Sequence, residues 1–320
     1  MTIPKEYGGH GRTTLERFVV TEELLAAGAP VAAHWFADRQ MAPGILRHGT
    51  EQQKQRYLPA IARGSCFMSI GMSEPDSGSD LASVRTKARA VDDGWVLTGT
   101  KVWTTGAHYA NAIILLARTE SPGESRHSGL SQFLVDLPHP QIEVRPIITI
   151  DGEHHFNEVI FDDAHVGAGA LLGIPGEGWQ QVTGELAFER SGPERLMSTV
   201  PLAQAWAAEL RADPDPHARR ELGRISAAAW VLRRMSFSVA AELAEGQRPD
   251  VKAALVKDLG SRFEQDVVRA ARLSPPRSSA PDGAFAELLR EGVLHSPVFT
   301  LRGGTNEILR SVVARGLGAR

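Results

Sequence analysis

The stretch DDGWVLTGTKVWTTGA, residues 92–107, decides the fold class. Asp92-Asp93-Gly94 separates two runs rich in β-branched and aromatic residues, the signature of a tight hairpin turn. The same texture extends outward on both sides. From Cys66 to about Phe161 the chain reads FMSIGMS, VRTKARAV, GWVLTGTKVWTT, NAIILLAR, SQFLVDL, IEVRPIITI and NEVIFDD, broken by DDG, SPGES and PHP. Short strands joined by short loops are expected throughout.

Beyond both ends the pattern is helical. LERFVVTEELLAAGAPVAAHWFADRQ carries apolar residues at helical spacing, with Thr13 or Thr14 as N-cap and Glu16 in the first turn. Gly28 and Pro30 divide it into two helices. TEQQKQRYLPAIARG reads as a further helix, capped at Thr50 and stopped by Pro59 and Gly64. After Gly173 long apolar stripes return, from GEGWQQVTGELAFER to AFAELLREGVL, as in a helical bundle. The expected domains are an N-terminal helical segment at 1–66, a β domain at 67–172 and a helical bundle at 173–320. Helices and strands that segregate in this way argue for an α+β protein rather than alternating α/β.

Composition excludes several functions. Of 320 residues, 42% are hydrophobic and 23% charged, an ordinary globular balance. The formal net charge is −3 and no basic block stands out, so a nucleic-acid partner is not expected. The longest apolar run, AIILLA at 112–117, is too short to span a bilayer, and no membrane association is expected. The lone cysteine, Cys66, allows no internal disulfide and fits a cytoplasmic location. No Walker A or GxGxxG sequence occurs. His154-His155, beside Asp151 and Glu153, lack HExxH or CxxC spacing, so no metal site is assigned. GMSEP at 71–75 resembles a nucleophile elbow only faintly, because Pro75 stands where the second glycine belongs.

Three stretches carry chemistry. SIGMSEPDSGSDL, 69–81, packs Ser, Gly and Asp into a tight turn whose backbone N–H groups and hydroxyls suit an anionic or polar-edged ligand. GTKVWTTGA, 99–107, sets an indole beside two hydroxyls, which suits a flat heterocycle needing both packing and edge hydrogen bonds. GGTNEILR, 303–310, closes the chain. Taken singly, the first two read more readily as structure, a hairpin loop and a core tryptophan.

Together and in this order they resemble the acyl-CoA dehydrogenase family. SEPDSGSDL is similar to its TEPxAGSDL segment, GTKVWTTGA to GxKxWITNG, and GGTNEILR to the closing GTxxIxR. LSQFLVDLP, NEVIFDDAHVG and LLGIPGEGW follow the family's pattern between them, and ILRHGTEQQKQRYLPAIARG fits its upstream helix. The resemblance covers nearly the whole chain. It implies N-terminal helices, a central barrel-like antiparallel β domain and a C-terminal four-helix bundle.

The chemistry implied is FAD-dependent dehydrogenation of an acyl-CoA thioester to the trans-2-enoyl-CoA. A carboxylate takes the α-proton as hydride leaves Cβ for the flavin, and electrons pass on to an electron-transferring flavoprotein. By motif, Met72 and Ser73 meet the pyrimidine edge of the flavin. Trp103 and Thr105 flank its ring, Thr305 and Glu307 approach FAD from the C-terminal turn, and Ser79 touches the CoA side. In one branch of the family the catalytic Glu immediately precedes the closing Gly-Thr, but that position here is Gly303. The isovaleryl and long-chain branch instead places it before a helix Arg, and GELAFERSGPERL supplies Glu189 and Arg190. The apolar neighbours Leu186, Ala187 and Phe188 argue for burial of that turn, and Gly303 leaves room opposite for a carboxylate. Glu189 is therefore the expected base and Arg190 a substrate-supporting residue, with Glu185 and Glu194 as alternatives.

Three departures bear on function. The chain opens at a point that follows further helices in the family: either the start is misassigned or trimmed, or this is a short variant. The family's RxxFG and QxxGG segments, which reach the FAD of a neighbouring subunit, have no match, and Ala187 replaces a CoA-contacting Asp. A homodimer or homotetramer is the family expectation. The missing motifs keep open a weakly catalytic partner subunit of a hetero-oligomer, and oxidase-type flavin chemistry is a third reading.

Overall fold

The computed structural model describes residues 1–121, 123, 125–277 and 279–319, with the side chains of 33, 34 and 186–188 left out. The chain divides into two compact units. The first comprises Met1–Arg12 and Val31–Glu185, and the second Thr13–Pro30 and Leu186–Arg320.

In the first unit a short helix α2 (Ala32–Trp35) runs through a π-helical turn (Phe36–Met41) into α3 (Ala42–His48). Helix α4 (Glu51–Ala62) starts at a capping box in which Thr50 Oγ1 accepts from Gln53 N and the Gln53 side chain accepts from Thr50 N. Pro59 does not stop this helix, contrary to the sequence expectation. It sits within the last turn, and the end comes at Arg63 and Gly64, whose φ of +73° suits glycine.

The sheet of this unit contains β1 (Met68–Gly71), β2 (Lys87–Val91), β3 (Gly94–Thr105), β4 (Ala112–Arg118), β5 (Leu130–Asp136), β6 (Ile142–Ile148), β7 (His154–Gly167) and β8 (Leu171–Leu172). Strand order is β6-β7-β3-β2-β4-β5-β8, with β1 on β4. Val91 pairs with Gly94, so Asp92-Asp93 form the expected hairpin turn. Most pairs are antiparallel, but β1 joins β4 in parallel register, Met68 opposite Ala112.

Strand β4 is buried on both faces, which explains its unbroken apolar run. Ala112 and Ile114 face a core built with Ile3, Met41, Ile45, Leu58 and Ile61. Ile113 and Leu115 face a second core with Leu97, Phe133, Val135 and Phe161. Each such leucine or isoleucine contributes about 1.5–3 kcal/mol through burial.

The second unit is helical: α1 (Thr14–Ala26), the C-terminal end of α5 (Gly178–Ser191), α6 (Val200–Ala212), α7 (Pro216–Ala244), α8 (Asp250–Leu273), α9 (Ala284–His295) and α10 (Asn306–Gly316). Thr13 caps α1 with a full capping box to Glu16. That helix packs on α7 through a bidentate Glu22–Arg233 pair and an edge-on Phe18–Phe237 contact. Helix α8 is buried on nearly every side, and Trp206, Leu210, Phe263, Val267, Phe285 and Phe299 form the surrounding core. Among the described residues no helix is long and apolar enough to cross a membrane.

Candidate active site

In the first unit the site residues gather where β3 departs from regular pairing. Lys101 pairs with Val159 and Thr104 with Asn157, so β3 spends three residues where β7 spends two. The extra residue makes a bulge. Trp103 occupies it with φ of +58°, a left-handed conformation unusual for a bulky side chain. The consequence is that the indole is 59% exposed, with Phe156 edge-on at 5.9 Å. This tryptophan is held out of the core by a strained backbone and offers a flat face.

Behind the bulge the backbone is fixed from below. Ser69 Oγ donates to Thr105 O at 2.8 Å, and Asn157 Nδ2 donates to Thr104 O at 2.9 Å. Asn157 is fully buried and its Oδ1 faces His154 Nε2 at 2.7 Å and His108 Nδ1 at 3.3 Å. The two imidazoles stack at 3.9 Å, and burial together with the charge of His154 pushes the His108 pKa down.

Met72 and Ser73 lie alongside. Val102 N donates to Ser73 O at 2.9 Å, and Lys101 Nζ donates to Met72 O at 3.0 Å. The same ammonium reaches Glu74 Oε1 at 2.8 Å. Glu74 in turn accepts from Arg85 N at 2.6 Å and Thr86 N at 2.8 Å. Burial pushes the Lys101 pKa down to about 8, against the pull of Glu74. For Glu74 burial works upward, but Lys101 and its other donors outweigh it and hold the carboxyl below its ordinary range. Ser79 stands apart, exposed on the rim of a loop that Glu74 and Ser77 close by exchanging backbone hydrogen bonds.

The sequence motifs contain Lys101 and Glu74, yet their pairing is not evident from composition. The available signal is a lysine two positions after Gly99 and four after Leu97, on what alternation makes an inward face.

In the second unit α5 ends at Ser191, and Pro193 opens a 3-10 turn through Arg195. In an unbroken helix residues 189 and 195 would be about 9 Å apart along the axis. The break instead folds Arg195 back onto Glu189. Arg195 Nη2 lies 2.6 Å from Glu189 Oε1, and Arg195 Nε donates to Glu189 O at 3.0 Å. Both residues are buried. Leu186, Ala187 and Phe188, whose apolar character argued for burial of this turn, have side chains outside the described set.

The closing turn covers this pair. Gly303 and Gly304 have φ of +69° and +91°. A Cβ on Gly303 would lie 2.9 Å from Arg195 Nη2 and 3.0 Å from Glu189 Oε1, too close for either to stay. Arg190 Nε donates to Gly303 O at 3.3 Å. Lys257 Nζ fastens the turn from the other side, reaching Gly304 O at 2.8 Å and Asn306 Oδ1 at 3.1 Å. Burial, then the charges of Arg195 and Arg302, push the Lys257 pKa down to about 7. Thr305 caps α10, its Oγ1 accepting from Ile308 N at 3.4 Å. Glu307 is exposed in the first turn, and its own backbone N–H holds its carboxyl low, helped by the Thr305 hydroxyl.

The alternative carboxylates are placed differently. Glu194 is buried against Arg17, at 3.3 Å. Glu185, in the first unit, lies under Gly44, where a Cβ would approach its Oε1 to 3.1 Å.

Family comparison decides the class. Residues 1–65, 69–164 and 176–318 match the acyl-CoA dehydrogenase N-terminal, middle and C-terminal domains. The chain is 38% identical over 324 residues to acyl-CoA dehydrogenase IpdE1 of Mycobacterium tuberculosis, covering 97% of this chain and 82% of that one. The chain belongs to the acyl-CoA dehydrogenase family. Two solved structures extend the likeness. One is named Tcur3481-Tcur3483 steroid ACAD, with TM-score 0.86 and 30% identity, covering 100% of this chain and 85% of the other. The other is the ChsE4-ChsE5 complex from Mycobacterium tuberculosis, with TM-score 0.84 and 28% identity, covering 100% and 86%.

This acyl-CoA dehydrogenase is thus an FAD-dependent oxidoreductase acting on acyl-CoA thioesters. The fit to FAD can be judged at the bulge. An indole turned outward, bordered by backbone groups already fixed from beneath, suits the face and edge of a flavin ring. When bound, FAD supplies the acceptor for hydride.

Proposed function

We propose that Glu189 is the base of this acyl-CoA dehydrogenase, taking the α-proton of the thioester as hydride leaves Cβ. One observation carries the reading: a buried carboxylate lies directly beneath Gly303, in the space a side chain at that position would need. Met72, Ser73, Trp103 and Thr105 are proposed to hold the flavin ring, with further FAD contacts from Thr305 and Glu307. Ser79 and Arg190 are proposed to serve the substrate. Electrons then pass to an electron-transferring flavoprotein. The name of the steroid relative supports a bulky, ring-bearing acyl group for the substrate.

The test is anaerobic titration of the flavin-loaded protein with acyl-CoAs. Bleaching of the flavin band by a ring-bearing acyl-CoA, and its loss in Glu189→Gln with flavin retained, is the expected result. A Glu189→Gln enzyme that still bleaches at the wild-type rate would refute the assignment.

A second reading is a partner subunit within a mixed oligomer. The absent RxxFG and QxxGG segments favour it, and both solved relatives carry the names of two chains. Under that reading the protein purified alone stays colourless in FAD and turns yellow only with a second acyl-CoA dehydrogenase chain.

A further inference from the structure

We infer that Arg195 is a positioning residue for the base, fixing which oxygen of Glu189 receives the α-proton and obliging position 303 to be glycine. The inference rests on the reading of Glu189 as base.

One guanidinium grips Glu189 at two points, the carboxylate through Nη2 and the backbone carbonyl through Nε. Two contacts from a planar fork define the side chain's direction relative to its own backbone, which a single contact cannot do. Oε1 is thereby occupied. Among the described residues Oε2 has no hydrogen-bond partner, so it is the oxygen left to accept a proton. The step balances: the Cα–H bond breaks and its proton goes to Oε2, the electron pair left on Cα becomes the new Cα=Cβ bond, and the Cβ–H bond breaks with its own pair, its hydrogen leaving as the hydride that FAD would accept.

Electrostatics gives a second reason. A carboxylate in a water-poor place needs a counter-charge to stay ionised, and an ionised base is what proton abstraction requires. Arg195 supplies that charge and, being always protonated, offers no proton of its own in exchange. Its place is itself fixed. The Arg195 carbonyl lies so close to α8 that a Cβ on Gly260 would come within 2.3 Å of it. Gly192, at the turn, would put a Cβ 1.7 Å from Glu194 Oε2, so that carboxylate would have to move. The pair is therefore bounded by a glycine on the facing helix, Gly260, and a glycine above, Gly303.

The experiment separates the base from the rest of the reaction. An acyl-CoA with sulfur at position 3 cannot give up hydride, so exchange of its α-proton with deuterated solvent reports on the base alone. Arg195→Gln should slow both this exchange and anaerobic flavin reduction by roughly 100-fold, with KM changed little. Arg195→Lys should recover part of the loss, because an ammonium restores the charge but cannot span both acceptors. Arg195→Gln exchanging as fast as wild type, or faster, would overturn the inference, as would equal loss in both variants.

If Arg195→Gln does not fold, Gly303→Ala decides. It keeps every charge, and besides straining a left-handed backbone it crowds the pair, so exchange should fall about tenfold or more while flavin content holds. Unchanged exchange in Gly303→Ala overturns the inference. Should Glu189→Gln exchange at the wild-type rate, the base assignment itself has failed. An inactive Glu189→Gln beside a fully active Arg195→Gln removes Arg195 alone.

Discussion

Lys101 Nζ lies 2.8 Å from Glu74 Oε1, and the lysine side chain is wholly buried. The pair joins three segments of one unit: the loop carrying Met72 and Ser73, the start of β2 through Arg85 and Thr86, and the bulged strand carrying Trp103. A buried ion pair adds little against a well-packed apolar pair, but half of one is costly. Lys101→Met or Glu74→Gln should each destabilise the protein by about 3–5 kcal/mol, read as a lower denaturant midpoint. The double variant Lys101→Met/Glu74→Gln, which removes both charges and keeps an acceptor for the Arg85 and Thr86 amides, should be closer to wild type than Lys101→Met alone. A Lys101→Met midpoint equal to wild type would show that the pair is not holding the loop.

Trp103 makes the opposite trade. Its left-handed backbone costs about 1–2 kcal/mol and its side chain buries little. Trp103→Gly relieves the strain, so the flavin-free protein should melt at the same temperature or higher. Bound FAD, measured by the ratio of flavin to protein absorbance, should fall. Loss of stability without loss of flavin would mean that the indole serves the fold.

Lys257 gives a signed pH dependence. Its folded-state pKa is lowered to about 7 from an ordinary 10.5. Between those values the unfolded chain binds the proton and the folded one does not, so the unfolded state holds more protons and stability rises with pH. The penalty for burying this ammonium is complete below the folded value and fades toward the unfolded one. Wild type should therefore gain stability relative to Lys257→Met from about pH 7 to about pH 10, measured by denaturant midpoints. A constant difference across that range would contradict the shift.

Asn157 is the remaining test of the bulge. Its amide satisfies the buried Thr104 carbonyl and faces two histidine nitrogens. Asn157→Leu strands those groups and should cost about 1–3 kcal/mol. Because Thr104 precedes Thr105, the visible spectrum of bound flavin should shift as well. An unchanged spectrum at lower stability would confine Asn157 to a structural role.

Local chemistry made much of this fold legible. Thr13 with Glu16 and Thr50 with Gln53 are capping boxes whose two side chains sit in one short stretch, and Asp92-Asp93-Gly94 allows few turns other than a hairpin. Pro59 was misleading because it removes only one N–H, the donor to the Gln55 carbonyl, and the helix absorbs that loss and runs on to Ala62. The parallel pairing of β1 with β4 joins strands forty-four residues apart, and no local pattern reports it. The site divides the same way. Trp103 and Glu189 stand out within motifs, whereas Arg195 acquires meaning only because the chain reverses at Gly192-Pro193.

Gly303 also constrains how such a site can change. It packs against the ion-paired Arg195 guanidinium and Glu189 carboxylate, and a Cβ there would press on both. A chain that acquired a carboxylate at 303 while keeping both residues would crowd all three groups into the volume of two. The two arrangements therefore compete for the same space, and a carboxylate at 303 would require the Arg195–Glu189 pair to shift. A chain carrying carboxylates at both 189 and 303 would hold one more buried negative charge than the Arg195 guanidinium can pair, a cost that the rest of the fold would have to absorb.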